Sequence, residues 1–173
     1  MPDRENGFVF VPERCVQCHA CATACRIWRD TERDAPFRRI EWRWSGAYPD
    51  VALRTVSVAC LHCVAPACVA ACPSGALAKR AENGAVLVDR TLCTGCRTCA
   101  DACPYDVPRF VADGTMAKCD LCAGSPELRE DGAPPCVRTC PTGALGWALR
   151  SVEEKRREEA AVLALLGRGA GRP

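Results

Sequence analysis

Residues 93–104 read Cys93-Thr94-Gly95-Cys96-Arg97-Thr98-Cys99-Ala100-Asp101-Ala102-Cys103-Pro104, four cysteines separated by two, two and three residues and followed by proline. The same spacing recurs at 15–25, where Arg26 replaces the proline. Two more groups, at 60–72 and 119–140, have longer internal gaps and also end in Cys-Pro. All 16 cysteines of the 173-residue chain thus form four groups: Cys15, Cys18, Cys21, Cys25; Cys60, Cys63, Cys68, Cys72; Cys93, Cys96, Cys99, Cys103; and Cys119, Cys122, Cys136, Cys140.

The first and third groups have the spacing in which three close thiolates hold one iron–sulfur cube and the fourth reaches a second cube. The two-residue gaps keep the backbone folded around a single cube. The three-residue gap then turns the fourth side chain away, as one turn of helix would. The pattern therefore predicts iron–sulfur clusters and a role in moving electrons.

Two other uses of cysteine compete with this interpretation. A high cysteine content is typical of small secreted disulfide scaffolds, but the start Met-Pro-Asp-Arg-Glu-Asn-Gly lacks the basic and apolar segments of a secretory signal. The pairs Cys60-x-x-Cys63 and Cys119-x-x-Cys122 each supply half of a four-cysteine zinc site. Zinc ribbons need neither the third close cysteine nor four C-x3-C repeats, so we favour iron–sulfur.

Composition indicates a thin apolar core. The chain is 49% hydrophobic, but cysteine inflates this figure and only ten residues are aromatic. We therefore expect the clusters to substitute for a core and the metal-free chain not to fold.

The charge balance excludes some partners. The formal charge is +2, and sixteen thiolates on four cubes would bring the loaded protein to about −6. Arginine supplies 20 of the 23 basic residues, scattered among acids without a long basic run, so nucleic-acid binding is not expected.

No apolar stretch reaches the eighteen residues of a membrane-spanning helix.

The secondary structure is expected to repeat a strand, a cluster loop and a short helix. Short strands are predicted at 8–12, 55–59 and 86–89, and helical segments follow Cys21, to about residue 30, and Cys99, to Pro104. We predict an α+β fold, a duplicated bacterial-ferredoxin-like arrangement of two dicluster lobes within residues 1–150, with inserted loops. A capping box at Ser151 and Glu154 predicts a C-terminal helix over 151–166, and 167–173 is expected to be a flexible tail.

Two insertions and two histidines lie outside the ligand pattern. Residues 26–59 hold half of the aromatic residues, which either dock a larger subunit or shield the first cluster from water: Trp28, Phe37, Trp42, Trp44 and Tyr48. Residues 123–135 are rich in Gly and Pro and read as a surface loop. His19 and His62 are expected to be bystanders that at most tune cluster potentials.

The sequence shows no catalytic machinery. There is no evident nucleophile or phosphate loop, and Gly143 and Gly146 do not form a nucleotide fingerprint. An electron carrier is therefore favoured over an enzyme.

Several motifs resemble the iron–sulfur subunit of the dimethyl-sulfoxide-reductase type, the electron-transfer partner of molybdopterin oxidoreductases. The resemblance covers about residues 8–149. Besides the 15–25 run, its specific parts are Phe37-Arg38-Arg39-Ile40, the stretch from Cys60 to Ala76, the run from Cys93 to Tyr105, and Lys118-Cys119-Asp120-x-Cys122.

This resemblance implies that the first group pairs with the fourth and the second with the third. Cluster one would be held by Cys15, Cys18, Cys21 and Cys140; cluster two by Cys25, Cys119, Cys122 and Cys136; cluster three by Cys60, Cys63, Cys68 and Cys103; and cluster four by Cys72, Cys93, Cys96 and Cys99. Some relatives replace the cysteine at position 96 by tryptophan and carry a three-iron cluster. This chain keeps Cys96, so we expect four [4Fe–4S] clusters.

The resemblance also implies a non-catalytic subunit of an anaerobic oxidoreductase that relays electrons to or from a molybdopterin-containing catalytic subunit. A membrane anchor subunit or a soluble donor would complete the path. Without a signal of its own, the chain is expected in the cytoplasm, or peripheral at the membrane and co-exported with a partner. A free-standing polyferredoxin and an iron–sulfur redox sensor remain alternatives.

Overall fold

The computed structural model describes residues 4–31, 35–123 and 132–167. Within these ranges the chain forms short elements joined by cysteine loops. They are β1 (Arg4–Phe10), a 3-10 turn (Pro12–Arg14), α1 (Ala20–Arg29), β2 (Arg39–Ala47), β3 (Asp50–Val58), α2 (Ala67–Ala70), β4 (Leu77–Lys79), β5 (Val86–Val88), α3 (Thr98–Ala102), β6 (Arg109–Phe110), β7 (Met116–Ala117), α4 (Pro135–Arg138), β8 (Leu145–Ser151) and α5 (Val152–Leu166). The fold is α+β, and the described strands pair as four antiparallel ribbons.

In two of these ribbons, the residue pair at one end lies the same number of positions away from a cysteine on each strand. β1 pairs with β8, and Phe10 lies opposite Leu145; Cys15 follows Phe10 by five positions and Cys140 precedes Leu145 by five. β4 pairs with β5, and Leu77 lies opposite Val88. Cys72 precedes Leu77 by five positions and Cys93 follows Val88 by five. One ribbon therefore joins the first and fourth cysteine groups. The other joins the second and third groups with the same five-residue spacing.

The segment 26–59 is largely a hairpin, whereas only its last residues were predicted to be a strand. β2 and β3 pair over nine residues each, from Arg39 opposite Val58 to Ala47 opposite Asp50. Gly46 adopts φ +83°, and a Cβ there would lie 2.0 Å from the carbonyl oxygen of Asp50, so the turn requires glycine. The sequence pattern concealed this hairpin because most of it is exposed on both faces and so lacks apolar alternation.

The core is thin and consists partly of cysteine. Its main cluster joins Phe8, Val56, Val58 and Leu145 to buried cysteines of several groups. Helix α5 covers this cluster with Val162 and Leu166. The capping box forms as predicted, because the Ser151 hydroxyl accepts from the Glu154 N–H and the Glu154 carboxylate accepts from the Ser151 N–H. The predicted tail from 168 and most of the predicted loop, 124–131, lie outside the described residues.

The helices in the described ranges are too short or too polar to cross a bilayer.

Candidate metal centres

The first Cys-x-x-Cys pair of each of the four groups shares one backbone feature. The residue before the second cysteine is left-handed in each: Gln17 at φ 56°, His62 at 48°, Gly95 at 69° and Leu121 at 60°. Only glycine adopts this conformation without strain, and strained residues of this kind concentrate at functional sites. The four groups thus share one local backbone conformation despite different sequences.

The cysteines assigned above to cluster one meet at a single cavity, here called site one. Cys15, Cys18, Cys21 and Cys140 line a cavity between the first group and β8. Cys18 is exposed and Cys21 is buried. This site therefore has one sulfur at the protein surface.

The cysteines assigned to cluster two form site two, in the interior. Cys25, Cys119, Cys122 and Cys136 are all buried. Burial, followed by repulsion from Cys136 and Cys122, raises the pKa of Cys25 to about 12 despite the attraction of Arg38. Burial and repulsion from Cys136 likewise raise the pKa of Cys122 to about 11. These four sulfurs are therefore near neighbours, and a thiolate here needs a compensating positive group.

Site three and site four repeat the arrangement in the other half of the protein. Cys60, Cys63, Cys68 and Cys103 line one cavity, site three. Cys72, Cys93, Cys96 and Cys99 line another, site four, in which Cys96 is exposed. Burial raises the pKa of Cys119, and repulsion from Cys25 and then from Cys60 adds to it, so sites two and three are adjacent.

Cys72 and Cys140 hold matching positions and have matching surroundings. The Leu145 N–H donates to Cys140 Sγ at 3.4 Å, and the Thr142 hydroxyl lies 3.8 Å from the same sulfur. The Ser74 hydroxyl lies 3.7 Å from Cys72 Sγ. At both cysteines burial raises the thiol pKa, but hydrogen bonds outweigh it and leave the pKa below its usual value. The surroundings of both sulfurs therefore stabilise the thiolate form.

The residues present fit [4Fe–4S] clusters. Each site offers four thiol sulfurs, and in three of the sites these sulfurs line one cavity. Zinc would need its sulfurs about 2.3 Å from one central point. In residues 4–31, 35–123 and 132–167, no group of three or more His, Cys, Asp or Glu side chains has the spacing for a single metal ion. The donor set and this spacing favour a larger cationic core, which would also deprotonate the buried thiols.

Comparison with known families agrees with this chemistry. A 4Fe-4S dicluster domain model matches residues 51–150, and a second 4Fe-4S dicluster domain model matches residues 14–77. The protein belongs to the 4Fe–4S dicluster family.

Within this family, the dicluster protein is similar over most of its length to components of anaerobic reductases. It is 38% identical over 170 residues to the probable anaerobic dimethyl sulfoxide reductase chain YnfG of Escherichia coli K12, covering 93% of this chain and 80% of the relative. It is 37% identical over 173 residues to a chain of the anaerobic dimethyl sulfoxide reductase of the same strain, covering 95% and 83%. A subunit of the sulfite dehydrogenase of Allochromatium vinosum is 37% identical over 150 residues, covering 75% and 62%.

The three lysines of this dicluster protein meet where the halves join, a feature that sequence reasoning missed. Lys79 Nζ donates to the carbonyl oxygens of Cys63 and Val64, both at 3.0 Å. Lys118 Nζ donates to the carbonyl oxygens of Val86 and Cys119. Lys155 donates to Glu5 and to the carbonyl oxygen of His62. The sparse use of lysine in an arginine-rich chain was the only signal of this junction.

The two histidines have different surroundings. His19 caps α1 in a left-handed conformation, and its ring lies edge-on to Trp42 with centroids 6.2 Å apart. His62 is buried, and its Nδ1 accepts from the Val86 N–H at 2.8 Å. Burial, reinforced by Lys118, Lys155 and Lys79, holds the pKa of His62 well below its usual value. His62 is therefore neutral and carries its proton on Nε2.

Arg38 is the second feature that sequence reasoning missed. Its side chain is 2% exposed and lies beside sulfurs of sites one and two. Burial lowers the pKa of Arg38, but the thiolates of Cys136, Cys119, Cys25 and Cys21 raise it by more. The sequence motif identified this residue only as part of a family pattern and gave no indication that a cation is buried among the cysteines.

Proposed function

We propose that this dicluster protein is the electron-transfer subunit of a molybdopterin-containing oxidoreductase and relays electrons through four [4Fe–4S] clusters. The ligands would be the four cysteines of each site, as defined above. The convergence of sixteen cysteines into four sets of four carries this proposal. The clusters supply one-electron chemistry, and the polypeptide sets their positions, solvent exposure and hydrogen bonds.

The order of the sites supports a relay. The pKa of Cys21 in site one, raised mainly by burial, is also raised by the charges of Cys136 in site two and Cys140 in its own site. Cys119 of site two feels Cys60 of site three, and helix α3 carries Cys99 of site four and leads to Cys103 of site three. Sites one and four, with exposed Cys18 and Cys96, are the ends where electrons would enter and leave.

The aromatic hairpin supports a permanent partner at the site-one end. Trp42 is 52% exposed and Trp44 63% exposed on β2, and Trp42 contacts the His19 ring in the site-one loop. Shielding alone would bury these rings, whereas large exposed aromatics are typical anchors of interfaces. The relatives named above are components of oxidoreductases, so the proposed partner is the molybdopterin-containing catalytic subunit. A membrane anchor or soluble donor would then bind the site-four end.

The cluster content can be tested on anaerobically isolated protein. We expect about sixteen iron and sixteen sulfide per chain, since four cubes each contain four of both. Zinc in place of iron, or far less iron in protein kept anaerobic throughout isolation, would overturn the proposal.

Partner binding can be tested in the native host. The double variant Trp42→Ala and Trp44→Ala should keep its iron and lose co-purification with the molybdopterin subunit. Leu149→Ala, which truncates an exposed apolar residue on β8, is the matched control and should retain the partner. Unchanged co-purification of the double variant would remove the hairpin from the interface. A parent protein that elutes alone from native extract would instead indicate a free-standing carrier.

A further inference from the structure

Arg38 has an incompletely satisfied guanidinium inside the protein. Nη1 donates to the Ser57 hydroxyl at 2.9 Å, and the guanidinium carbon lies 4.2 Å from the Phe8 ring centroid. Nε and Nη2 are buried and find no acceptor among the described residues. The ion pairs found in that part of the chain do not include Arg38. A buried cation with unused donors is costly, which indicates that an anionic acceptor belongs beside it.

The sulfurs around Arg38 identify that acceptor. The strongest attractions come from Cys136, Cys119 and Cys25, all members of site two, and a weaker one comes from Cys21 of site one. Lys118, the buried cation next to Cys119, instead donates to backbone carbonyl oxygens. Arg38 is thus placed to direct its free N–H groups toward a cluster in site two.

Ser57 gives Arg38 a second, indirect route to site one. The Ser57 oxygen accepts from Arg38 Nη1, and the same oxygen lies 3.7 Å from Cys21 Sγ. Because its lone pair is engaged by Arg38, the hydroxyl proton is free to point at the Cys21 sulfur. Ser57 therefore links Arg38 to a sulfur of site one, while Nε and Nη2 remain available for another acceptor.

Building on the proposed cluster content, we propose that Arg38 sets the reduction potential of the site-two cluster by donating from Nε and Nη2 to its sulfur. Reduction adds a negative charge to a cluster, so a nearby cation and its N–H donors stabilise the reduced form and raise the potential. The potential at site one rises less, through Ser57. Sites three and four supply none of the four cysteines that act most strongly on Arg38, so we expect their potentials not to change.

The first test is an EPR-monitored redox titration of Arg38→Met. We expect the reduction equilibrium of one cluster to fall at least tenfold, a shift of about 59 mV for a one-electron couple. A second cluster should shift less in the same direction, and two should not shift. Arg43→Met is the matched control, because Arg43 is on β2 and donates to the Leu166 carbonyl oxygen. Four unchanged potentials in iron-replete Arg38→Met protein would overturn the inference.

The second test starts from the protein with its unchanged sequence, so its first outcome does not depend on the folding of a variant. Protein labelled with ¹⁵N in the arginine guanidinium groups should show a ¹⁵N coupling to a reduced cluster in pulsed EPR, and Arg38→Lys should abolish it. The absence of coupling, or its persistence in Arg38→Lys, would refute the role of Arg38. Full iron content with four reducible clusters would leave the proposed function intact in that case.

Discussion

Lys155 Nζ donates to the carbonyl oxygen of His62 at 2.8 Å, which joins the C-terminal helix to the second cysteine loop across 93 positions of the sequence. The same ammonium group pairs with Glu5 of β1 and is 4% exposed. Glu5 also pairs with Lys79 at 2.8 Å. A single, largely buried network therefore connects the first strand, the last helix and the loop of group two.

Replacing Lys155 by Met is expected to destabilise the loaded protein. The change leaves the buried carbonyl oxygen of His62 without its donor, and it leaves the Glu5 carboxylate with one cation instead of two. We expect it to lower the free energy of unfolding by about 1–3 kcal/mol. We expect the half-life of the visible cluster absorption in anaerobic guanidinium to fall by roughly tenfold. Arg157→Met breaks an exposed pair with Glu153 on the same helix and should change the half-life little. Equal behaviour of the two variants would contradict a structural role for the network.

Two left-handed glycines give a matched test of the cluster loops. A Cβ at Gly95 would lie 2.6 Å from the Gly114 carbonyl oxygen, whereas one at Gly75 would have no neighbour within 4 Å. Both substitutions by Ala carry the backbone cost of about 1–2 kcal/mol, but only Gly95→Ala adds a clash beside site four. We expect Gly95→Ala to lose about four irons per chain and Gly75→Ala to keep them. Full iron content in both variants would contradict the prediction, because it would show that the loop accommodates a Cβ at position 95.

Removal of the clusters should unfold the protein. The main core cluster contains buried cysteines of groups one, two and four, and Cys103 of group three packs against it. Without metal the pKa of Cys25 is raised to about 12, mainly by burial. Anaerobic treatment with a chelator and a mild oxidant should therefore abolish near-ultraviolet circular dichroism and the cooperative thermal transition. Reconstitution with iron and sulfide should restore both, and a metal-free chain that melts cooperatively would contradict the prediction.

The parts of the molecule that sequence predicted are those governed by local spacing. The gaps between cysteines indicated the four loops, and Ser151 and Glu154 indicated the start of α5, because both depend on residues within one or two helical turns. The assignment of cysteines to four sets stays a prediction that the geometry of the sites supports. It came from family resemblance, since no local pattern pairs Cys21 with Cys140.

The features that sequence missed depend on contacts between distant segments. Arg38 reads as one of 20 arginines, and its burial results from Phe8, Ser57 and Cys136, which are remote in the sequence. The lysine junction likewise joins residues 93 and 150 positions apart. The outer part of the β2–β3 hairpin was missed for a different reason, because a ribbon exposed on both faces carries no apolar periodicity.

Cys96 and Cys18 allow the proposed ligand sets to be tested separately at the two ends of the relay. Both are exposed second cysteines of groups with identical spacing, one in site four and one in site one. In Cys96→Ala one iron would be held by bridging sulfides alone at the protein surface, so we expect it to leave. The iron content should fall by about one per chain, and the EPR signal of an oxidised three-iron cluster should appear. Cys18→Ala should give the same result independently, and the double variant should lose two irons because the sites lie at opposite ends of the proposed relay. Variants that keep all their iron and show no three-iron signal would exclude Cys96 and Cys18 as ligands.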